Sequence, residues 1–319
     1  QNLNRTTIHN KQSARYSEII AINKTKDKCE HDIFLPSGLP DLKYYDKNLK
    51  SQIFLDIEKY AKSWMEMHTL TMNRYAKKWV RDPLHWWSRT YEYSFHIQHI
   101  KSKILCQRKN KKQNIVQLLD AGAGTDFISW YLLSLDIKES GVYHNVTAVD
   151  FDKMNGLNHA EINARYVSAG MPWSQTVFVQ APLQQLPLPS MQYDIVFCIS
   201  VLEHTDNFHK IISEFYRVLN PGGILIVSFD IDLVQKGLVY PARAYHLLQI
   251  LQKYFKPFDD VTIPKSLNEF EFELNRPTVV TSDILRKNRF SQSEWSNIHG
   301  HWHRSDLTFH CSVWEKEIV

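Results

Sequence analysis

What this chain lacks narrows it first. It has no apolar run near the roughly 18 residues that span a bilayer, and its polar start, Gln1-Asn2-Leu3-Asn4-Arg5, carries no apolar core of a secretory signal. A cytoplasmic protein without a membrane partner is therefore expected, and a start at Gln1 rather than Met is what a segment of a longer chain would show. Cys29, Cys106, Cys198 and Cys311 lie far apart and form no Cys-x-x-Cys pair, which argues against a zinc ribbon or a disulfide scaffold. Cys198 sits inside an apolar run and reads as core. Charge of one sign is also scarce: a formal net charge of +4 is too small for this length to imply nucleic acid by itself.

What is present describes a folded protein. Apolar residues make up 43% of the chain and charged residues 23%, which excludes wholesale disorder. The length accommodates one α/β domain of roughly 200 residues with additions. The first fifty residues show little periodicity and read as an extended arm or a short helical preface, with a turn at Leu35-Pro36-Ser37-Gly38-Leu39-Pro40. From Ile53, the positions Ile53, Ile57, Tyr60, Ala61, Trp64 and Met65 form one face of an amphipathic helix. The aromatic-dense stretch from Trp79 to Ile100 reads as a packed helix, with the wall of a substrate pocket as the alternative. Arg108-Lys109-Asn110-Lys111-Lys112 marks a solvated boundary, and a phosphate-binding patch is its other reading.

The organising stretch is Ile115-Val116-Gln117-Leu118-Leu119, a buried strand that runs into Asp120-Ala121-Gly122-Ala123-Gly124-Thr125-Asp126. Glycines without a Cβ let the backbone turn sharply and approach a ligand. Strand and helix then alternate. Helices are expected over Phe127 to Leu135, Lys153 to Ala169 and Asn207 to Leu219. Strands are expected over Asn145 to Val149, Thr176 to Gln180, Tyr193 to Ile199 and Ile224 to Phe229, with Asn220-Pro221-Gly222-Gly223 stopping the last helix. Such alternation implies a parallel sheet with helices on both faces and ligands at the carboxyl ends of the strands. Asp306 to Trp314 alternates like a final strand.

Four segments in order resemble the class I methyltransferases that use S-adenosylmethionine. Asp120-Ala121-Gly122-Ala123-Gly124 is similar to that family's Asp-x-Gly-x-Gly loop, and Asp150 to the acid ending its second strand. Ser200-Val201-Leu202-Glu203-His204 is similar to the segment after its fourth strand, and Leu219-Asn220-Pro221-Gly222-Gly223 to its turn before the fifth. The resemblance covers roughly Ile115 to Phe229. It implies a Rossmann-like, doubly wound α/β fold with a mostly parallel seven-stranded sheet and an antiparallel last strand. The chain before it reads as an N-terminal helical extension over residues 1–112 and the rest as a methyltransferase domain over 113–319; beyond Phe229 the resemblance thins, and 230–297 reads as a substrate cap. A nicotinamide site is disfavoured on physical grounds, because the third glycine that it wants is Phe127 and Asp150 comes later than the usual ribose acid.

The resemblance also implies roles. S-adenosyl-L-methionine would be the cofactor, with Asp120 near its amino-acid end, Gly122 and Gly124 under the ribose, Asp150 accepting the ribose hydroxyls, and Phe151 and Ser200 beside it. Where relatives often place an acid after the third strand, this chain has Ala181-Pro182-Leu183, so the adenine contacts fall to Gln180 or to the backbone near Leu183. Arg89, in an aromatic segment similar to one in some relatives, would pair with the cofactor carboxylate. His204 is the first candidate base, set against a structural role for the same ring. Glu203 divides between a polar contact and a helix charge. Some relatives carry another Glu where Ser200 stands; without it the segment is a poor site for a hard cation, and no metal is expected. His301, between His299 and His303, reads first as part of an ordinary polar strand or loop, next as a candidate base and last as a metal ligand, since alternate histidines share one face of a strand. The expected activity is methyl transfer to an oxygen or nitrogen of a small or medium-sized metabolite. The alternatives are an RNA methyltransferase and a catalytically silent partner subunit.

Overall fold

The structure, a computed structural model, describes residues 34–76, 82–109, 115–135, 143–170, 175–234, 239–259, 263–299 and 306–318, with the backbone alone for 106–109 and 143. Helices α1 (Leu42–Asn48), α2 (Gln52–Met67) and α3 (Thr69–Ala76) precede a long α4 (Arg89–Lys109). There follow β1 (Ile115–Ala121), α5 (Ile128–Ser134), β2 (Tyr143–Asp150), α6 (Lys153–Ser168), β3 (Val177–Gln180) and β4 (Tyr193–Ile199). A 3-10 turn at Leu202–His204 leads to α7 (Phe208–Val218) and β5 (Leu219–Asp232). The remainder comprises α8 (Pro241–Tyr254), β6 (Lys256–Pro257), α9 (Leu267–Leu274), α10 (Ser282–Asn288), α11 (Gln292–His299) and β7 (Leu307–Glu315).

The sheet order is β3-β2-β1-β4-β5-β7-β6. The first five strands pair in parallel, and β7 runs antiparallel to β5 and β6. This is the doubly wound, Rossmann-like arrangement expected, with its switch point between β1 and β4, where a crevice opens outside the carboxyl ends. Alternate strand residues face opposite layers. Leu118, Ile195, Phe197, Ile224 and Ile226 pack with α2, α4 and α5, whereas Leu119, Val196, Cys198, Leu225 and Val227 pack with α7 and α8. Cys198 is core, as its sequence context indicates.

The N-terminal helices form a third layer. In α2, Phe54, Ile57, Ala61 and Trp64 are buried, and Ser51 caps the helix by accepting the Phe54 N–H at 3.2 Å. They cover the first half of α4, where every residue from Thr90 to Ile100 is buried. A polar group so placed needs a partner. Gln98 answers with two bonds to the Leu35 backbone, accepting its N–H at 3.0 Å and donating to its carbonyl at 2.7 Å. Residues 35–72 thus share one apolar core with the sheet.

Three local features differ from the sequence expectation. Asn220-Pro221-Gly222-Gly223 lies inside β5, where the register slips between Tyr193 and Ile195 of β4, so the segment is a bulge of the strand. The expected cap contains a regular helix, α9, whose Ser266 accepts the Glu269 N–H at 3.2 Å. That Ser-x-x-Glu spacing is a helix-start signal legible in the sequence. Within 230–297, Asp230–Asp232 complete β5 and α8 packs on α7 and β5 as a layer of the sheet. Strand β7 is buried on both faces through Trp314, because α4 lies on one side and the α8 layer on the other. No helix among the described residues is long and apolar enough to cross a membrane.

Candidate active site

At the end of β1 the chain enters the left-handed region at Gly122 (φ +82°) and Gly124 (φ +55°). Gly122 and Ala123 donate their N–H groups to the Val149 carbonyl at 2.8 and 3.0 Å, and Gly124 donates to Asp150 Oδ2 at 3.0 Å. The other oxygen of Asp150 accepts the Asp152 N–H at 2.8 Å. Each carboxylate oxygen has a second lone pair, so Asp150 ties the turn to β2 and keeps acceptor capacity. A Cβ on Gly122 would come within 2.5 Å of Val201 Cγ2, and one on Gly124 within 2.8 Å of the Tyr75 hydroxyl. The turn is therefore held between the segment after β4 and the end of α3.

Two further carboxyls lie beside it. Asp120 is buried and accepts the Ser129 hydroxyl at 2.6 Å. Burial, then the nearby Asp126 charge, pushes its carboxyl well above the usual range. Asp126 accepts the Ile128 N–H at 2.9 Å and the Tyr93 hydroxyl at 3.2 Å, and burial pushes it up to about 6. Phe151, next to Asp150, leaves 67% of its surface in solvent, a large apolar face beside a buried acid. Gln180 donates to the Phe151 carbonyl at 3.3 Å, which brings Asp150, Phe151 and Gln180 together. The Leu183 side chain belongs to the core beneath them.

On the β4–β5 side, alternation along β5 turns Phe229 and Ile231 into the α8 layer, and so directs Ser228 and Asp230 toward α4. There Arg89 donates to Glu92 Oε2 at 2.6 Å, and Ser200 donates its hydroxyl to Glu92 Oε1 at 2.6 Å. Ser200 adopts φ +46°, a left-handed conformation that is strained for a residue with a Cβ. Both oxygens of Glu203 and Oδ1 of Asp230 are buried without a hydrogen-bond partner among the described residues. Burial and the Asp230 charge push Glu203 well above the carboxylate range, although Arg89 opposes them. Burial and the Glu92 charge push Asp230 up to about 8.

The histidines separate. The His204 ring reaches solvent, and the protein packed around it together with the Arg89 charge holds its imidazole below the usual value. His299 is committed to structure: its Nδ1–H donates to the Trp295 carbonyl at 3.0 Å and its Nε2 accepts the Trp87 N–H at 3.1 Å. His301 and His303 lie outside the described residues, as do the side chains of the Arg108 to Lys112 run. Among the described residues no group of His, Cys, Asp and Glu has the geometry to hold a metal ion.

Of the sequence candidates, the structure gathers Asp120, Gly122, Gly124, Asp150, Phe151 and Gln180 on the β1–β2 side, and Arg89, Ser200, Glu203 and His204 on the β4 side. Sequence reasoning missed Tyr75, Glu92, Asp126, His159 and Asp230. Asp230 follows the apolar run of the fifth strand as Asp150 follows that of the second, a signal that was available. Nothing local marks Glu92.

A strand order of this kind, with a glycine turn after β1 and an acid ending β2, defines the class I methyltransferase arrangement. Residues 119–227 match the family model described as a methyltransferase domain, and this part of the chain belongs to the S-adenosylmethionine-dependent class I methyltransferases. The chain is 28% identical over 160 residues to a ubiquinone biosynthesis O-methyltransferase of Rickettsia typhi, covering 49% of this chain and 59% of that one. It is 31% identical over 134 residues to a malonyl-[acyl-carrier protein] O-methyltransferase of Buchnera aphidicola, covering 41% and 46%. The chain thus spans about half the length of the curated relatives it matches. Among solved structures, geranyl diphosphate C-methyltransferase from Streptomyces coelicolor A3(2) aligns over 71% of this chain and 85% of that one, at 12% identity and a TM-score of 0.41. That likeness is too distant to bear on the site.

Proposed function

We propose that the protein is an S-adenosylmethionine-dependent methyltransferase that acts on an oxygen of a small or medium-sized metabolite. The observation that carries this reading is Asp150: a carboxylate 8% exposed at the end of β2, bonded to the left-handed glycine turn and followed by an exposed phenylalanine. Its remaining lone pairs suit vicinal ribose hydroxyls, the Phe151 ring suits a purine face, and the Gln180 amide lies where base-edge contacts are needed. Arg89 and Asp126 offer the opposite charges that an α-amino carboxylate requires. The oxygen acceptor is supported by the named activities of the relatives, both O-methyltransferases.

When bound, the cofactor supplies a methyl group activated by sulfonium charge. The chain's own task is alignment. Asp150 and the glycine turn fix one end of the crevice, α3 and α4 cover it, and the β4–β5 ends bound the acceptor side. Positioning of this kind contributes roughly 7 to 11 kcal/mol to lowering a barrier. Within residues 1–112, the described helices α1 to α4 serve as the covering extension, and the stretch between α8 and β7 is the candidate for acceptor selection.

Calorimetric titration with S-adenosylmethionine and with NAD tests the cofactor; binding of NAD but not of S-adenosylmethionine would overturn the reading. Incorporation of labelled methyl groups into metabolite and RNA fractions then identifies the acceptor class.

A further inference from the structure

We infer that Glu203 and Asp230 act as one proton-holding pair on the acceptor side of the crevice, and that Asp230 takes the proton of a hydroxyl acceptor during methyl transfer. This rests on the methyltransferase reading above, which the experiment below tests separately.

The placement comes from the fold. Glu203 stands on the turn that follows β4 and Asp230 at the carboxyl end of the adjacent β5, on the far side of the switch point from Asp150. Glu203 is 5% exposed, and neither of its oxygens has a partner among the described residues; Asp230 is half-buried and one of its oxygens is unpartnered. Unpaired buried acceptors are costly and uncommon, and they are found where a ligand or a proton completes them.

The surroundings leave this pair as the acid–base unit. Arg89, the nearest cation, is engaged by Glu92, and Glu92 is completed by Ser200. Glu203 and Asp230 therefore repel each other in a poorly solvated site whose nearest guanidinium, Arg89, is shared with Glu92 and only partly offsets that repulsion. Two carboxyls so placed hold a proton between them. The other titratable groups facing them are unsuited to the task. The thiols of Cys198 on β4 and Cys311 on β7 are pushed up by burial and stay protonated. His96 on α4 is held neutral by burial, and His310 on β7 stacks on Phe229 on the other face of the sheet. His204 is kept a weak base, and Asp120 is tied to Ser129.

The step balances. The acceptor O–H bond breaks as its oxygen bonds to the methyl carbon; the carbon–sulfur bond breaks with its electron pair kept by sulfur, which loses its positive charge. The proton passes to Asp230, is shared with Glu203 and leaves to solvent after product release. A proton-accepting group of this kind contributes about 100- to 10,000-fold.

The test compares the full chain with Asp230→Asn, Glu203→Gln and the conservative Asp230→Glu, by calorimetric binding of S-adenosylhomocysteine, infrared spectroscopy of the protonated-acid carbonyl band against pH, and labelled methyl incorporation. The expected result is near-parental binding in all variants and an acid band near neutral pH that Asp230→Asn and Glu203→Gln each abolish or shift. Incorporation should fall at least about 100-fold in Asp230→Asn and partly recover in Asp230→Glu, and parental incorporation should rise with pH through about 8. An unchanged acid band in both amide variants, or incorporation within about threefold of the parent in Asp230→Asn at the 100-fold expectation, would overturn the pair. Absence of S-adenosylhomocysteine binding in the parent would overturn the methyltransferase reading itself, whatever the infrared band shows.

Discussion

His159 holds the glycine turn from beneath: its Nε2–H donates to the Gly124 carbonyl at 3.0 Å, while its Nδ1 accepts the Thr176 hydroxyl at 2.9 Å. Asp150 grips the N–H of the same glycine. One residue in a left-handed conformation is thus fixed at both its amide and its carbonyl, and α6 and β2 set the position of the turn together.

Replacing His159 by Leu should leave the Gly124 carbonyl without this donor and the Thr176 hydroxyl with only the long 3.5 Å bond to Asn163 Oδ1, at about 1 to 3 kcal/mol. Urea denaturation should show this loss, and calorimetry a weaker affinity for S-adenosylmethionine. Burial lowers the His159 pKa to about 4, below the ordinary value near 6.5. Its stabilising contribution is therefore complete above about 6.5 and is lost as pH falls toward 4. Stability of the parent should drop more steeply across that window than that of the Leu variant; parallel profiles would refute the assignment.

Asp150→Ala should weaken S-adenosylmethionine binding at least about tenfold, which corresponds to about 1.4 kcal/mol. It also removes the acceptor for the Gly124 and Asp152 N–H groups. Asp150→Asn is expected to keep one acceptor oxygen and to lose less. Unchanged affinity in the Ala variant would show that the ribose contact is misassigned.

Gly122→Ala places a Cβ within 2.5 Å of Val201 Cγ2 in a backbone conformation that L residues avoid. The clash and the left-handed conformation, the latter about 1 to 2 kcal/mol, should together lower the melting temperature and weaken cofactor binding. Combining it with Val201→Ala should recover the part due to the clash and not the part due to φ. Thermal melts of the two single variants and the double variant separate the terms.

Arg89→Met should be among the most damaging surface-distant changes, because Glu92 is fully buried and would lose its only ion-pair partner among the described residues. Breaking such a pair costs about 3 to 5 kcal/mol. Adding Glu92→Gln should restore much of that stability without restoring methyl transfer, since Ser200 and the Glu203–Asp230 pair would lose the charge that orders them. A double-mutant cycle in urea measures the coupling; additive losses would show that the two residues act independently.

The periodicity between Ile115 and Phe229 was enough to determine the strands, the crossover helices, the glycine turn and the acid after β2, because each depends on residues a few positions apart. The α9 cap and the strand-ending Asp230 were legible by the same local rules and were passed over. By contrast, the link between Glu92 and Ser200, 108 positions apart, had no local mark. It exists because the outer layer of α1 and α2 presses the aromatic first half of α4 onto the ends of β4 and β5, so that this buried part of the helix aims its carboxylate and guanidinium into the crevice. The sequence by itself determined the βαβ framework, the glycine turn and the acid that closes on it. Only the tertiary structure decided the carboxyl cluster at the ends of β4 and β5, because buried charge takes its chemistry from the neighbours that layer stacking brings to it.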